Sequence, residues 1–184
     1  MTNHVQDKTI IVTGAASGFG RLICQKAISA GAKVVCADIN EGLLNTIVQE
    51  LIGAEGRAIG QHTDVSDLSQ MRGLATKAVE HFGRIDVMVN NAGVMPLAFY
   101  ADHADASAKW SQCIDINIKG VLHGIISVYD QMMAQEEGHV INISSIYGNF
   151  PVAGAGVYGA SKAAVNFLSE SLRVEARGKI KVTN

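Results

Sequence analysis

Ile10-Ile11-Val12 runs directly into Thr13-Gly14-Ala15-Ala16-Ser17-Gly18-Phe19-Gly20, and over Gly18–Ala30 the apolar residues recur at helical spacing. A strand that is apolar at every position is covered on both faces. A glycine turn feeding such a strand straight into a helix predicts parallel strands joined by crossover helices. The rest of the chain repeats the alternation. Strands are expected at Lys8–Thr13, Lys33–Asp38, Gly56–His62, Ile85–Asn90, His139–Ser144 and Lys179–Thr183. Helices are expected at Gly18–Ala30, Glu41–Ile52, from an Asp67 cap to about His81, as one long element over Ala106–Ala134, and over Gly156–Arg177. Gly31, Gly53 and Gly83 read as stops, and residues 91–105 as a loop. The fold class is α/β: one Rossmann-like, doubly wound parallel sheet with helices on both faces.

A chain of 184 residues suits a single domain with a sizeable core. Its 19 glycines against 5% aromatics suit close helix–sheet contact. The net charge of −2, from scattered lysines and arginines, gives no electrostatic case for nucleic acid or an anionic membrane surface. No apolar run approaches the ~18 residues of a membrane span. The polar start, Met1 to Lys8, lacks the apolar stretch of a signal peptide. Cys24, Cys36 and Cys113 have no metal-like spacing and read as buried free thiols of a reducing compartment, so a cytoplasmic location is expected. The six histidines are dispersed, and no metal site is expected.

The turn Gly14–Gly20 has the spacing Gly-x-x-x-Gly-x-Gly. Glycines there let backbone approach a pyrophosphate, and the helix N-terminus offers unpaired N–H groups and the positive end of its dipole. Gly14, Ser17, Gly18, Phe19 and Gly20 are the candidate contacts, with a tight structural turn as the bland reading. Asp38 ends the second strand eighteen residues after Gly20 (38 − 20). A carboxylate there accepts hydrogen bonds from ribose hydroxyls and repels a 2′-phosphate. No lysine or arginine lies at Ala15, Ala16, Ser17, Ile39 or Asn40 to offset that repulsion, so NAD(H) is expected over NADP(H). Asp38 could instead cap the helix starting near Glu41. Ile39, Asp64-Val65 and Asn91-Ala92-Gly93 follow the ends of parallel strands, where open α/β sheets bind ligands. Asp64 could equally cap a helix. Asn90 reads as a tie between strands.

Tyr158-Gly159-Ala160-Ser161-Lys162 places a phenol and an ammonium four positions apart on one helix face. An ammonium beside a phenol favours the phenolate, which makes a base usable near neutral pH. Ser145 lies thirteen positions upstream (158 − 145). Thr13–Gly20, Asp38, Asp64-Val65, Asn90–Gly93, Asn117, Ser145, Tyr158 and Lys162, in that order, resemble the short-chain dehydrogenase/reductase family in its single-domain branch of about 250 residues. The resemblance implies a tetrad of Asn117, Ser145, Tyr158 and Lys162. Tyr158 would exchange a proton with the substrate oxygen and Ser145 would stabilise charge on it. Lys162 would also bind the nicotinamide ribose, and Asn117 would hold a water linking Lys162 to solvent. Ser144 rivals Ser145, since strand alternation puts the two on opposite faces. Asn117 could be a plain polar helix residue.

The implied activity is NAD-dependent interconversion of a secondary alcohol and a ketone. Tyr147, Met95, Pro96, Leu97, Phe99, Phe150 and Val152 are the pocket candidates, with Ser145 and Tyr158 touching substrate. They are mostly apolar and point to a substrate with an apolar body. Family members run roughly sixty residues further, so the sequence is expected to be part of a longer protein without its last strands and substrate lid. The two long helices carry apolar residues beyond what one sheet face needs, and the resemblance implies that they pair across a two-fold axis in a homodimer or homotetramer. The rival from another class is a dinucleotide-binding regulatory or assembly subunit without chemistry. A nucleotide-sugar epimerase or dehydratase fits the single-domain pattern less well.

Overall fold

The computed structural model describes residues 4–52 and 57–184. Six parallel strands form one sheet: β1 (Thr9–Thr13), β2 (Lys33–Asp38), β3 (Ala58–His62), β4 (Val87–Asn90), β5 (Gly138–Asn142) and β6 (Ile180–Thr183), in the order β3-β2-β1-β4-β5-β6. The helices are α1 (Gly18–Ser29), α2 (Glu41–Ile52), α3 (Leu68–Phe82), α4 (His103–Ile114), α5 (Gly120–Gln135) and α6 (Gly156–Glu175). The expected turn at Gly53 and strand start at Gly56 fall outside the described residues. Strand order reverses direction between β1 and β4, so a crevice opens above their C-terminal ends.

Alternation along the strands divides the core. Ile10, Val12, Val34 and Cys36 pack with Cys24 and Ile28 of α1 and Leu44, Ile47 and Leu51 of α2. Ile11, Val35, Met88 and Val140 pack on the other face with α3, α5 and α6 through Met71, Leu74, Val128, Met132, Val165 and Leu172. Burying both faces explains why the middle of β1, Ile10-Ile11-Val12, is continuously apolar.

Three expectations are corrected. The helix expected over Ala106–Ala134 starts earlier, at His103, and is interrupted by a π-helical turn, Asp115–Lys119, that carries Asn117. The supposed loop 91–105 therefore ends sooner, and it also holds a short 3₁₀ turn at Tyr100–Asp102. Strand β5 stops at Asn142, before Ser144. Past it, α6 takes over the chain: Lys162 Nζ donates to Ile143 O at 2.7 Å, and Ser144 Oγ donates to Asn166 Oδ1 at 2.5 Å. Side-chain bonds of this kind compete with a strand ladder.

At the opposite end of the sheet, Asp86 is 4% exposed. Its carboxylate accepts the Thr9 N–H at 2.8 Å, Lys8 Nζ at 3.1 Å and Arg84 Nε at 2.9 Å. Burial pushes this carboxyl up; the Thr9 N–H, Lys8 and Arg84 outweigh it and hold the group below the ordinary carboxylate range. A depressed carboxyl stabilises the fold above its ordinary range and loses that contribution as pH falls through it. Asp86→Ala leaves the Thr9 N–H without its acceptor, while Lys8 and Arg84 stay partly hydrated. The expected cost is about 1–3 kcal/mol at neutral pH, read as a lower urea midpoint. The difference from the parent protein should shrink on acidification; a constant difference would refute the assignment.

Candidate active site

The glycine turn is built for close backbone approach. Gly14 has φ +63° and Gly18 φ +51°. A Cβ on Gly20 would overlap the Gly14 carbonyl oxygen. Asn91 fastens this turn to β4: its Nδ2 donates to Thr13 O at 2.9 Å and Gly14 O at 3.2 Å. Thr13 Oγ1 accepts the Asn91 and Ala92 N–H groups, both at 3.1 Å. Ser17, the N-cap of α1, makes no capping bond with its side chain, whereas Asp67 caps α3 through Ser69 and Gln70 N–H. The first N–H groups of α1 thus face the crevice without a side-chain acceptor.

The crevice is a cleft of about 360 Å³ lined by Gly14, Ser17, Gly18, Phe19, Asp38, Ile39, Asp64, Val65, Asn91, Ala92 and Gly93, all expected from the sequence. Thr63, Val94 and Ile116 line it too and were not anticipated. Thr63 and Val94 adjoin the recognised residues, a signal that was available. Ile116 enters through the π-helical turn, which leaves no mark on hydrophobic spacing. Thr13, buried, opens the recognised stretch Thr13–Gly20, but its anchoring of the neighbouring loop is not among the expected contacts.

Asp38 does not cap α2. Asn40 does, its Oδ1 accepting the Leu43 N–H at 3.1 Å. Asp38 Oδ2 accepts the Ala16 N–H and Oδ1 the Asn40 N–H, each at 2.9 Å, so both oxygens keep acceptor capacity toward the cleft. Arg21, the basic residue nearest the turn in sequence, is engaged with Glu50 at 2.7 Å. Asp64 folds its own turn, Oδ1 accepting Ser66 N–H at 2.9 Å and Oγ at 2.7 Å, and leaves the cap of α3 to Asp67. Asn90 ties the strands, its Nδ2 donating to Asn142 Oδ1 at 2.8 Å.

Beyond Gly93 stand polar residues of α6. Lys162 is 5% exposed and donates only to Ile143 O among the described residues. Its Nζ lies 3.6 Å from where a Gly93 Cβ would sit. Burial pushes its ammonium below the ordinary lysine range. A buried ammonium with two N–H bonds unassigned, beside the cleft, fits a site that supplies further acceptors. The Tyr158 ring centroid is 5.8 Å from Lys162 Nζ, and the Tyr158 hydroxyl has no hydrogen bond among the described residues. Tyr147 meets Tyr158 edge to face at 6.1 Å and Phe150 at 6.5 Å. Ser145 begins a 3₁₀ turn, its Oγ accepting the Tyr147 N–H at 3.2 Å. Its hydroxyl proton has no acceptor among the described residues, whereas Ser144 is bonded to Asn166 on α6.

The Asn117 side chain ties neighbouring segments together. Its Oδ1 accepts the Val94 N–H, and its Nδ2 donates to Val94 O, both at 2.9 Å, and to Ser161 Oγ at 3.0 Å. The amide is a clamp between protein groups, with both its N–H bonds committed. Tyr147, Phe150 and Val152, with Tyr100, line a second hollow of about 380 Å³. Met95, Leu97 and Phe99 stand exposed on the loop after β4. That loop is tied to the Phe150–Ala155 segment by Ala98 N–H donating to Gly154 O at 2.9 Å.

A family model described as short chain dehydrogenase matches residues 8–184. An uncharacterized oxidoreductase of Staphylococcus saprophyticus is 39% identical over 94% of this chain and 69% of its own length. A 2,5-dichloro-2,5-cyclohexadiene-1,4-diol dehydrogenase of Sphingobium indicum is 33% identical over 95% of this chain and 69% of its own. A solved short chain dehydrogenase/reductase from Burkholderia phymatum, in complex with NAD, superimposes with a TM-score of 0.92 at 36% identity, over 99% of this chain and 65% of that one. The chain thus spans about two thirds of the length of these relatives.

Proposed function

The chain belongs to the short-chain dehydrogenase family, and we propose that it is the core of an NAD(H)-dependent oxidoreductase that interconverts a secondary alcohol and a ketone. The carrying observation is a cleft that runs from the open N-terminus of α1, past Asp38, to Gly93, where the buried Lys162 Nζ lies 3.6 Å from the place of a Cβ, with Tyr158 beside it. Gly14, Ser17, Gly18 and Phe19 would hold the pyrophosphate by backbone N–H groups. Asp38 would take the adenosine ribose hydroxyls, Ile39 and Val65 would flank the adenine, and Lys162 would donate to the second ribose. When bound, the nicotinamide ring supplies the hydride acceptor or donor.

Tyr158 accepts the proton of the substrate hydroxyl in the oxidising direction and returns it in the other. Ser145 donates its hydroxyl proton to the same oxygen and stabilises charge that builds there. Lys162 Nζ, 5.8 Å from the Tyr158 ring centroid, sets a positive charge beside the reacting group. Tyr147 and Phe150 wall the approach with apolar surface, which supports a substrate with an apolar body, as does the cyclic diol named for the Sphingobium relative. Leu122, Ile126 and Tyr129 of α5 and Leu168 of α6 line an apolar hollow on the outer face. Pairing of this face with a second copy would give a homodimer or homotetramer; a monomer by light scattering at micromolar concentration overturns that.

The test is nicotinamide reduction by the full-length protein across secondary alcohols, with each dinucleotide. NAD⁺ is expected to give the higher kcat/KM. Asp38→Asn, which removes the charge but keeps an acceptor, should lower kcat/KM for NAD⁺ by about tenfold and raise it for NADP⁺, on the scale of a charged hydrogen bond. A parent preference for NADP⁺ would sink the cofactor assignment. Binding of NADH without turnover of any alcohol or ketone would favour a non-catalytic subunit.

A further inference from the structure

We propose that Ser161 is a positioning residue that locks the cofactor-side loop after β4 to the catalytic helix α6. The inference rests on the reading of Tyr158 and Lys162 as the reacting pair. Ser161 is 1% exposed, next to Lys162 and one turn beyond Tyr158. Its hydroxyl has one proton, which it donates to Tyr158 O at 2.7 Å. Its oxygen accepts from Asn117 Nδ2 at 3.0 Å. The same Asn117 amide holds both backbone groups of Val94, the residue that follows Gly93 along the cleft. One continuous chain therefore runs from Val94 through Asn117 and Ser161 to the Tyr158 carbonyl. It crosses three segments that are 23 and 44 residues apart in sequence.

The π-helical turn makes this possible, because it turns Asn117 toward both partners. Cys113 closes the remaining side, its Sγ 3.3 Å from Asn117 Nδ2 and 3.9 Å from Ser161 Oγ. Asn117 is 1% exposed and Cys113 fully buried, so no solvent replaces a lost partner here. Without the Ser161 hydroxyl, Asn117 keeps Val94 but loses its hold on α6. The loop and the Tyr158 helix then shift independently, and small misplacements of reacting groups cost far more than their size suggests.

The decisive experiment is residue-resolved amide hydrogen exchange on Ser161→Ala in the full-length protein. Alanine removes one atom and favours the helix more than serine does. The Val94 N–H, which lies on another element, is expected to exchange at least about tenfold faster, while amides in the second half of α6 change little. In turnover, kcat is expected to fall roughly 10- to 100-fold with NADH affinity within about threefold of the parent. Ser161→Thr keeps a hydroxyl able to reach the i−3 carbonyl and should restore both readouts. Unchanged exchange at Val94, or protection lost evenly along α6, overturns the proposal. If Ser161→Ala does not fold, the parent protein still decides: Val94 N–H and the first turns of α6 should open with one free energy across a denaturant series, and separate openings refute the lock. The exchange readouts need no substrate, so they stand even if the proposed reaction fails.

Discussion

Tyr158→Phe is expected to lower kcat by about 10²-fold or more, the scale of losing a general acid–base, while NADH binding and thermal stability stay near those of the parent. The reason is local. The ring of Tyr158 is held by its neighbours, edge to face with Tyr147 and beside Lys162. Phenylalanine keeps those contacts. The hydroxyl, by contrast, has no hydrogen bond among the described residues, so no structural partner is orphaned by its removal. The split between lost turnover and retained binding separates a chemical role from a packing role. Near-normal kcat in this variant would remove Tyr158 from the mechanism, and with it the reading of Lys162 as its companion.

The parts of this site that are legible in the sequence are those whose chemistry is carried by short, ordered segments. The glycine turn is visible because Ile10–Val12 ends where the helical spacing begins, and Asp38 because a charged residue closes the apolar run Val34–Ala37. The parallel sheet follows once β-α-β units repeat. What remains hidden is whatever depends on side chains meeting across elements. Nothing in the spacing of Ile114, Ile116 and Ile118 announces a π-helical turn, yet that turn carries the Asn117 amide that holds Val94 and Ser161. The early end of β5 is of the same kind: Ser144 reads as a strand residue until α6 offers Asn166 and the Lys162 carbonyl as partners. Thr13 is a third case. A buried threonine in an apolar strand looks like core, and only the arrival of the Asn91 and Ala92 N–H groups shows that it positions the loop.

Lys162→Met should move activity and stability in opposite directions. Lysine at this position carries an ammonium that is 5% exposed and bonded to Ile143 O alone among the described residues. Burial disfavours its charged form, which is why its pKa is lowered. Below that lowered value the charge is present in both folded and unfolded states, and the folded state carries the desolvation cost. As pH rises, the folded state releases the proton first, so the unfolded state binds more protons and stability increases with pH. Methionine has a similar length and no charge, so the variant should melt at or above the parent temperature at neutral pH and should lack this alkaline gain. Turnover should nevertheless fall by about 10²-fold or more, since proton transfer at Tyr158 loses its adjacent charge, and NADH should bind more weakly through loss of the ribose contact. A variant that is both less stable and only slightly less active would mean that Lys162 serves the fold, as the anchor of Ile143, and not the reaction.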